Sequence, residues 1–125
     1  RTFLRAASAA GVLPFFSSPL LAFTRVGLRD ARALDAVRLD GSATTIPAAA
    51  VSDLAASLRG PLLLSDSPGY DMARRVWNPG IDRKPALIVQ PTGAADVRRA
   101  VSFAASHDLL LAVKCGGHSF SGMST

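Results

Sequence analysis

The chain of 125 residues contains one cysteine, Cys115, so no disulfide forms within this segment and its stability rests on packing rather than cross-links. Residues 1–25 contain no acid, their only charges being Arg1, Arg5 and Arg25, and removing these three from the formal +5 leaves +2, a nearly balanced body. That balance takes away the electrostatic support for nucleic-acid binding, which needs Lys and Arg clustered on one face. Histidine is scarce too. His107 and His118 are the only two, and with one cysteine and no C-x-x-C pair they fall short of the three or four ligands a metal site requires. A long unbroken apolar run is also missing: the uncharged stretch from Ala6 to Phe23 is interrupted by Gly11, Pro14 and Pro19. It falls slightly short of the roughly 20 predominantly apolar residues of a spanning helix. What is present, 49% hydrophobic and 18% charged residues, suits one globular domain or part of one and excludes disorder.

The leader has the layout of an export signal. Arg1 and Arg5 flank Phe3-Leu4 ahead of the uncharged run, and R-x-F-L-R resembles the twin-arginine consensus with Arg1 as the second arginine of the pair. Residues 1–23 are therefore expected to direct export to the periplasm or outside the cell, the alternative being a membrane anchor formed by an uncleaved leader. Residues 24–48 follow an irregular pattern, with loops marked at Asp40-Gly41 and Pro47, and read as a linker.

From residue 49 the pattern is regular. Val51, Leu54, Ala55 and Leu58 lie at helical spacing, and Gly60-Pro61 ends that helix. Leu62 to Leu64 forms a brief strand, and Pro68 to Trp77 a second helix with Tyr70, Ala73 and Trp77 on one side, stopped by Asn78-Pro79-Gly80. Tyr70, the only tyrosine, reads as a core or surface aromatic rather than a catalytic base. Pro85 to Pro91 reads as a buried strand, Thr92 as the cap of a helix from Gly93 to about His107, and Leu109 to Val113 as another strand. In that helix Val97, Ala100, Val101 and Ala104 are expected to face inward, with Arg98 and Arg99 in water. His107 suits a helix C-terminus, where the dipole favours a cation, or simply the surface. Strand, helix and strand make a βαβ unit with two parallel neighbours, whose faces and edges call for further chain to cover them.

The sequence Lys114-Cys115-Gly116-Gly117-His118-Ser119-Phe120-Ser121-Gly122 sits at the carboxyl end of the second strand, where ligands bind in α/β sheets. A nucleotide P-loop is contradicted by Met123 in the lysine position, and a G-x-G-x-x-G fingerprint by the spacing of Gly116, Gly117 and Gly122. Two readings stay open: a structural turn, or a nest in which successive backbone N–H groups converge on an anion such as a pyrophosphate. His118 alone reads as a turn histidine in solvent, and Cys115 as a small packed residue.

Several blocks taken together carry more. Trp77-Asn78, Arg83 to Val89, Asp96-Val97, Val101-x-Phe103-Ala104 and Val113 to Ser119 with Gly122 resemble the FAD-linked oxidases. More narrowly, they resemble the berberine-bridge-enzyme and 6-hydroxynicotine-oxidase group, whose FAD-binding domain is of the p-cresol methylhydroxylase type. The resemblance spans about residues 68–125.

It implies an α+β protein in which residues 49–125, containing the βαβ unit, are the first part of such a domain, preceded by an export signal helix. It implies FAD as cofactor, with Lys114, Cys115, Gly116, Gly117, Ser119 and Gly122 around the pyrophosphate and His118 bonded covalently to the flavin 8α-methyl group. Cys115 is not given the cysteinyl flavin bond that some members add, because that residue belongs to a later segment. The implied activity is hydride transfer from an alcohol, sugar or amine C–H bond to the flavin, with O2 as the electron acceptor, and with the catalytic base outside these residues. A dehydrogenase using another acceptor is the alternative, and a non-enzymatic anion- or nucleotide-binding module is the alternative from a different class. Gly117→Val is expected to abolish cofactor binding by intruding on the phosphates.

Overall fold

A computed structural model describes residues 32–125 and shows a small α+β arrangement with three helices and short strands. The expected export signal, residues 1–23, lies outside the described residues, and among those described no helix is long and apolar enough to cross a membrane.

Part of the stretch read as an irregular linker is a β-hairpin. Strand β1 (Leu34–Val37) pairs antiparallel with β2 (Ala43–Ile46), Leu34 standing opposite Ile46. Its turn is the Asp40-Gly41 pair: Gly41 takes φ +85°, and the Asp40 carboxylate accepts the Ser42 N–H at 2.8 Å. The sequence hides the hairpin because only one face is apolar and each strand is four residues long. Leu34 and Ile46 carry that face into the core with Val51 of helix α1 (Ala48–Ser57) and Leu64.

Helix α1 ends where the chain must pass close to another strand. A Cβ at Gly60 would lie 2.0 Å from the Gln90 carbonyl oxygen, so the chain crosses there with glycine alone. Beyond it β3 (Leu62–Leu63) pairs antiparallel with β4 (Ile88–Val89). Helix α2 (Tyr70–Arg74) lies between them in sequence, shorter than the expected 68–77 and anchored by the buried Tyr70, whose hydroxyl donates to the Pro85 carbonyl at 2.6 Å. Tyr70 is thus a core aromatic.

The expected parallel βαβ unit is not formed. The strand at Ile88–Val89 takes Leu62–Leu63 as its antiparallel neighbour, and residues 110–113 join no strand. Instead the chain leaving helix α3 (Ala94–Ser106) turns back along the hairpin: Leu109 bridges Arg38 antiparallel, and the Leu110 N–H donates to Val37 O at 2.8 Å. Leu109 is thereby drawn against the core, while Leu110, Leu111 and Val113 stay exposed.

Helix α3 is rotated from the orientation its valines suggest. Val97 and Val101 are 47% and 46% exposed, whereas Asp96 and Ala104 are buried. Asp96 causes this rotation. Its Oδ1 accepts the Arg59 N–H at 3.0 Å, and its Oδ2 accepts the N–H groups of Gly60 and Thr92 and the Thr92 hydroxyl, each at 3.0 Å. The expected cap therefore runs in the opposite sense: Gly93 occupies the N-cap with no side-chain bond, and Asp96 reaches back to Thr92. His107 closes the helix half-buried, its ring centroid 4.7 Å from that of Phe103.

The Arg59 N–H above all, with those of Thr92 and Gly60 and the Thr92 hydroxyl, holds the Asp96 carboxyl well below the usual carboxylate range against the opposing effect of burial. A depressed folded-state pKa contributes stability above the unfolded value of about 4 and loses it as pH falls through the folded value. Thermal melting across a pH series should therefore show two effects of Asp96→Asn: a lower melting temperature at neutral pH, and a shallower loss of stability below about pH 4 than in the wild type. Equal acid sensitivity in the two proteins would contradict this role.

Candidate functional site

Residues 114–123 form a loop seated on the segment that follows α2. Gly116, Gly117 and Gly122 have φ of +70°, +71° and +74°, the left-handed region that favours glycine, so the glycine pattern answers a backbone requirement. The loop is fastened from below at several points. Trp77 N–H donates to Gly117 O at 2.8 Å, Asn78 Nδ2 to Phe120 O at 2.9 Å, and Lys114 Nζ to Ala73 O at 2.6 Å and also to Arg75 O. Gly122 rests on Ile81: a Cβ there would meet Ile81 Cγ2 at 2.7 Å. Within the loop, Ser119 Oγ accepts the Met123 N–H at 3.1 Å and lies 3.5 Å from Ser121 Oγ.

The platform itself is braced by Arg74. Its Nε donates to Asp71 at 2.7 Å, and Nη1 reaches both the Asp82 carboxylate and the Arg83 carbonyl. Those two carboxylates, Asp82 first, raise the arginine's pKa and leave it a permanent cation across any working pH.

The other side of the loop faces outward. Residues 111–121 donate no backbone N–H hydrogen bond to any acceptor among the described residues, while Gly117 is buried and His118 exposed. A Cβ at Gly116 would meet His118 Cδ2 at 2.9 Å, so the imidazole lies against that glycine. Trp77 and Phe120, 68% and 74% exposed, flank the loop with ring centroids 6.5 Å apart and planes tilted by 45°. An exposed imidazole beside backbone N–H groups that have no acceptor among the described residues is an arrangement that can take an anionic ligand.

The structure thus brings Lys114, Cys115, Gly116, Gly117, His118, Ser119 and Gly122 into one loop, in differing environments. Cys115 is exposed rather than packed, because the inward-facing place is taken by Gly117. The Lys114 ammonium is bonded to carbonyls at the end of α2. Sequence reasoning missed the supporting roles of Trp77, Asn78 and Ile81. The available signal was the Trp77-Asn78 block, one of those that carry the resemblance together with the loop.

The groove between α1 and α3, about 490 Å³ and lined in part by Asp53, Ser57, Arg98, Arg99, Ser102 and His107, contains none of the loop residues. Among the described residues no three His, Cys, Asp or Glu side chains converge as metal ligands would.

Over 69 residues the chain is 30% identical to the (R)-6-hydroxynicotine oxidase of Paenarthrobacter nicotinovorans. The likeness is to an oxidase. It covers 55% of this chain and only 15% of that protein, a distant and partial similarity. No established family profile matches the chain.

Gly117 yields a test that needs no ligand. A Cβ there would point into the platform, 3.0 Å from Lys114 Cε and 3.4 Å from Arg75 O and Val76 Cα. With the left-handed strain added, Gly117→Val should destabilise the ligand-free protein by about 1–3 kcal/mol, measured by denaturant unfolding. Unchanged stability, with only ligand binding lost, would mean that the residue acts on the outer face instead.

Proposed function

We propose that the full-length protein is a FAD-linked oxidoreductase in which this loop holds the cofactor. The observation that carries the reading is the coincidence of an exposed His118 with a run of backbone N–H groups free of acceptors among the described residues, set in a turn with glycines at left-handed φ. The similarity to an oxidase agrees with it. The residues fit the group: the N–H groups of residues 115–119 have no acceptor among the described residues and so are available to a pyrophosphate, and Gly116 adds no side chain beside them. Lys114, Cys115, Ser119 and Gly122 complete the loop, and His118 is the attachment point for the flavin.

Bound FAD supplies a hydride acceptor for a C–H bond beside oxygen or nitrogen. The work of this chain is positional. The loop amides fix the diphosphate, Gly116 leaves room for the imidazole, and the tethers from residues 73–81 keep both in register. The substrate is a small alcohol, sugar or amine, bound by residues outside the chain described. O2 is the electron acceptor, a reading the name of the similar protein favours over a dehydrogenase.

The discriminating experiment begins with colour. Full-length protein expressed with ample flavin should be yellow and keep its flavin through acid precipitation, whereas His118→Ala should release it into the supernatant. Colourless wild-type protein would defeat the flavin reading and leave an anion-binding module. Wild-type flavin that comes off freely in denaturant would defeat only the covalent bond.

We also propose that residues 1–23 direct export by the twin-arginine route, a reading supported by the Arg1-x-Phe3-Leu4-Arg5 pattern ahead of an uncharged run. Such a route carries folded proteins and so admits a cofactor loaded before export. Arg1→Lys should impair export of a fused reporter. Undiminished export, or dependence on the general secretion route, would overturn the assignment.

A further inference from the structure

The Lys114 ammonium stands where a phosphate-binding lysine would be sought, yet its contacts are with the protein. Nζ donates to the carbonyl of Ala73 at 2.6 Å and to that of Arg75, the C-cap of α2. Carbonyls in a last helical turn have no intrahelical donors and carry the negative end of the helix dipole, so a cation placed there satisfies them twice over. The same side chain supports the loop from beneath, its Cε lying 3.0 Å from where a Gly117 Cβ would stand. Trp77 N–H, two residues past the cap, holds the Gly117 carbonyl from the same platform. The first residue of the loop and its central glycine are thus both bound to the end of α2.

We infer that Lys114 is a positioning residue, a clamp that sets the loop and His118 in place before any cofactor arrives, with its charge committed to the α2 carbonyls instead of to phosphate. This rests on the flavin reading only for its ligand measurements. The clamp itself is a property of the ligand-free protein.

Two roles for a lysine predict different patterns. A phosphate ligand lost from the site weakens binding of FAD and leaves riboflavin, which has no phosphate, unaffected. A lost clamp weakens both, because the loop is no longer held for either. In the full-length protein, Lys114→Met should lower the melting temperature of the flavin-free form and hasten proteolytic cleavage within residues 114–123. It should reduce FAD and riboflavin affinity by a similar factor, about tenfold for a lost charged hydrogen bond, and lower the fraction of bound flavin that resists acid precipitation. Lys114→Arg, which keeps charge and reach, should restore most of the melting temperature and the acid-stable fraction. If Lys114→Met does not accumulate, Lys114→Gln, with a neutral donor, takes the same measurements. An unchanged flavin-free melting temperature and cleavage rate, or a loss confined to FAD, would overturn the clamp. Wild-type protein that binds neither flavin would defeat the flavin reading, while the melting and cleavage results would still decide whether Lys114 clamps the loop.

Discussion

One buried carboxylate holds the chain leaving α1 against the chain entering α3. Asp96 accepts from Arg59 and Gly60, just past the C-cap of α1, and from Thr92, just ahead of the N-cap of α3, so a single side chain joins the end of one helix to the start of another. The Gly60 N–H would otherwise be buried without a partner, a penalty comparable to the hydrogen bond itself. Because it must point inward, it turns α3 about its axis, brings Ala104 into the interior and leaves Val97 and Val101 outside. The position of Gly60 against the Gln90 carbonyl follows from the same crossing.

The loop depends on a second set of contacts, around α2. Arg74 gathers Asp71 and Asp82 and so draws residues 78–83 against the helix, and Asn78 and Ile81 in that stretch support the loop. Lys114 and Trp77 complete the support from the end of the helix. Phosphate-facing amides are useful to a ligand only when their directions are fixed beforehand, since each freedom frozen on binding subtracts from affinity. Here the Gly117 and Phe120 carbonyls are fixed by Trp77 and Asn78 without any ligand.

The helices were legible because their signals are local. Helical spacing of Val51, Leu54 and Leu58 and the Gly60-Pro61 stop gave α1, and the stretch from Gly93 to His107 gave α3 to within a residue or so. The hairpin was not, since four-residue strands with one apolar face carry too little periodicity. Strand pairing failed for a different reason. Alternation of strand and helix favours a parallel pair, but which strand lies beside Ile88–Val89 is settled by the close crossing at Gly60, a contact between residues 30 apart that no local pattern encodes. The face of α3 was legible at Ala104, Arg98 and Arg99, but Val97 and Val101 were misplaced because hydrophobic periodicity puts valines inward and cannot foresee a carboxylate that backbone donors hold in the buried position. In the loop, the glycines were legible as positions of unusual backbone and the histidine as their companion. The burial of Gly117, the exposure of Cys115 and the direction taken by Lys114 depend on the platform beneath.

The tethers of the loop also bear on the order of events in the life of the chain. Lys114 reaches Ala73 and Arg75 across 41 and 39 positions, and Asn78 reaches Phe120 across 42. Contacts of such sequence separation form only after the intervening chain has closed, and they are the ones that slow folding. The shape of the loop therefore depends on closure of some forty residues of chain and not on its own sequence alone. A ligand that requires that shape binds only chains in which closure is complete, and by binding it draws the equilibrium further toward them.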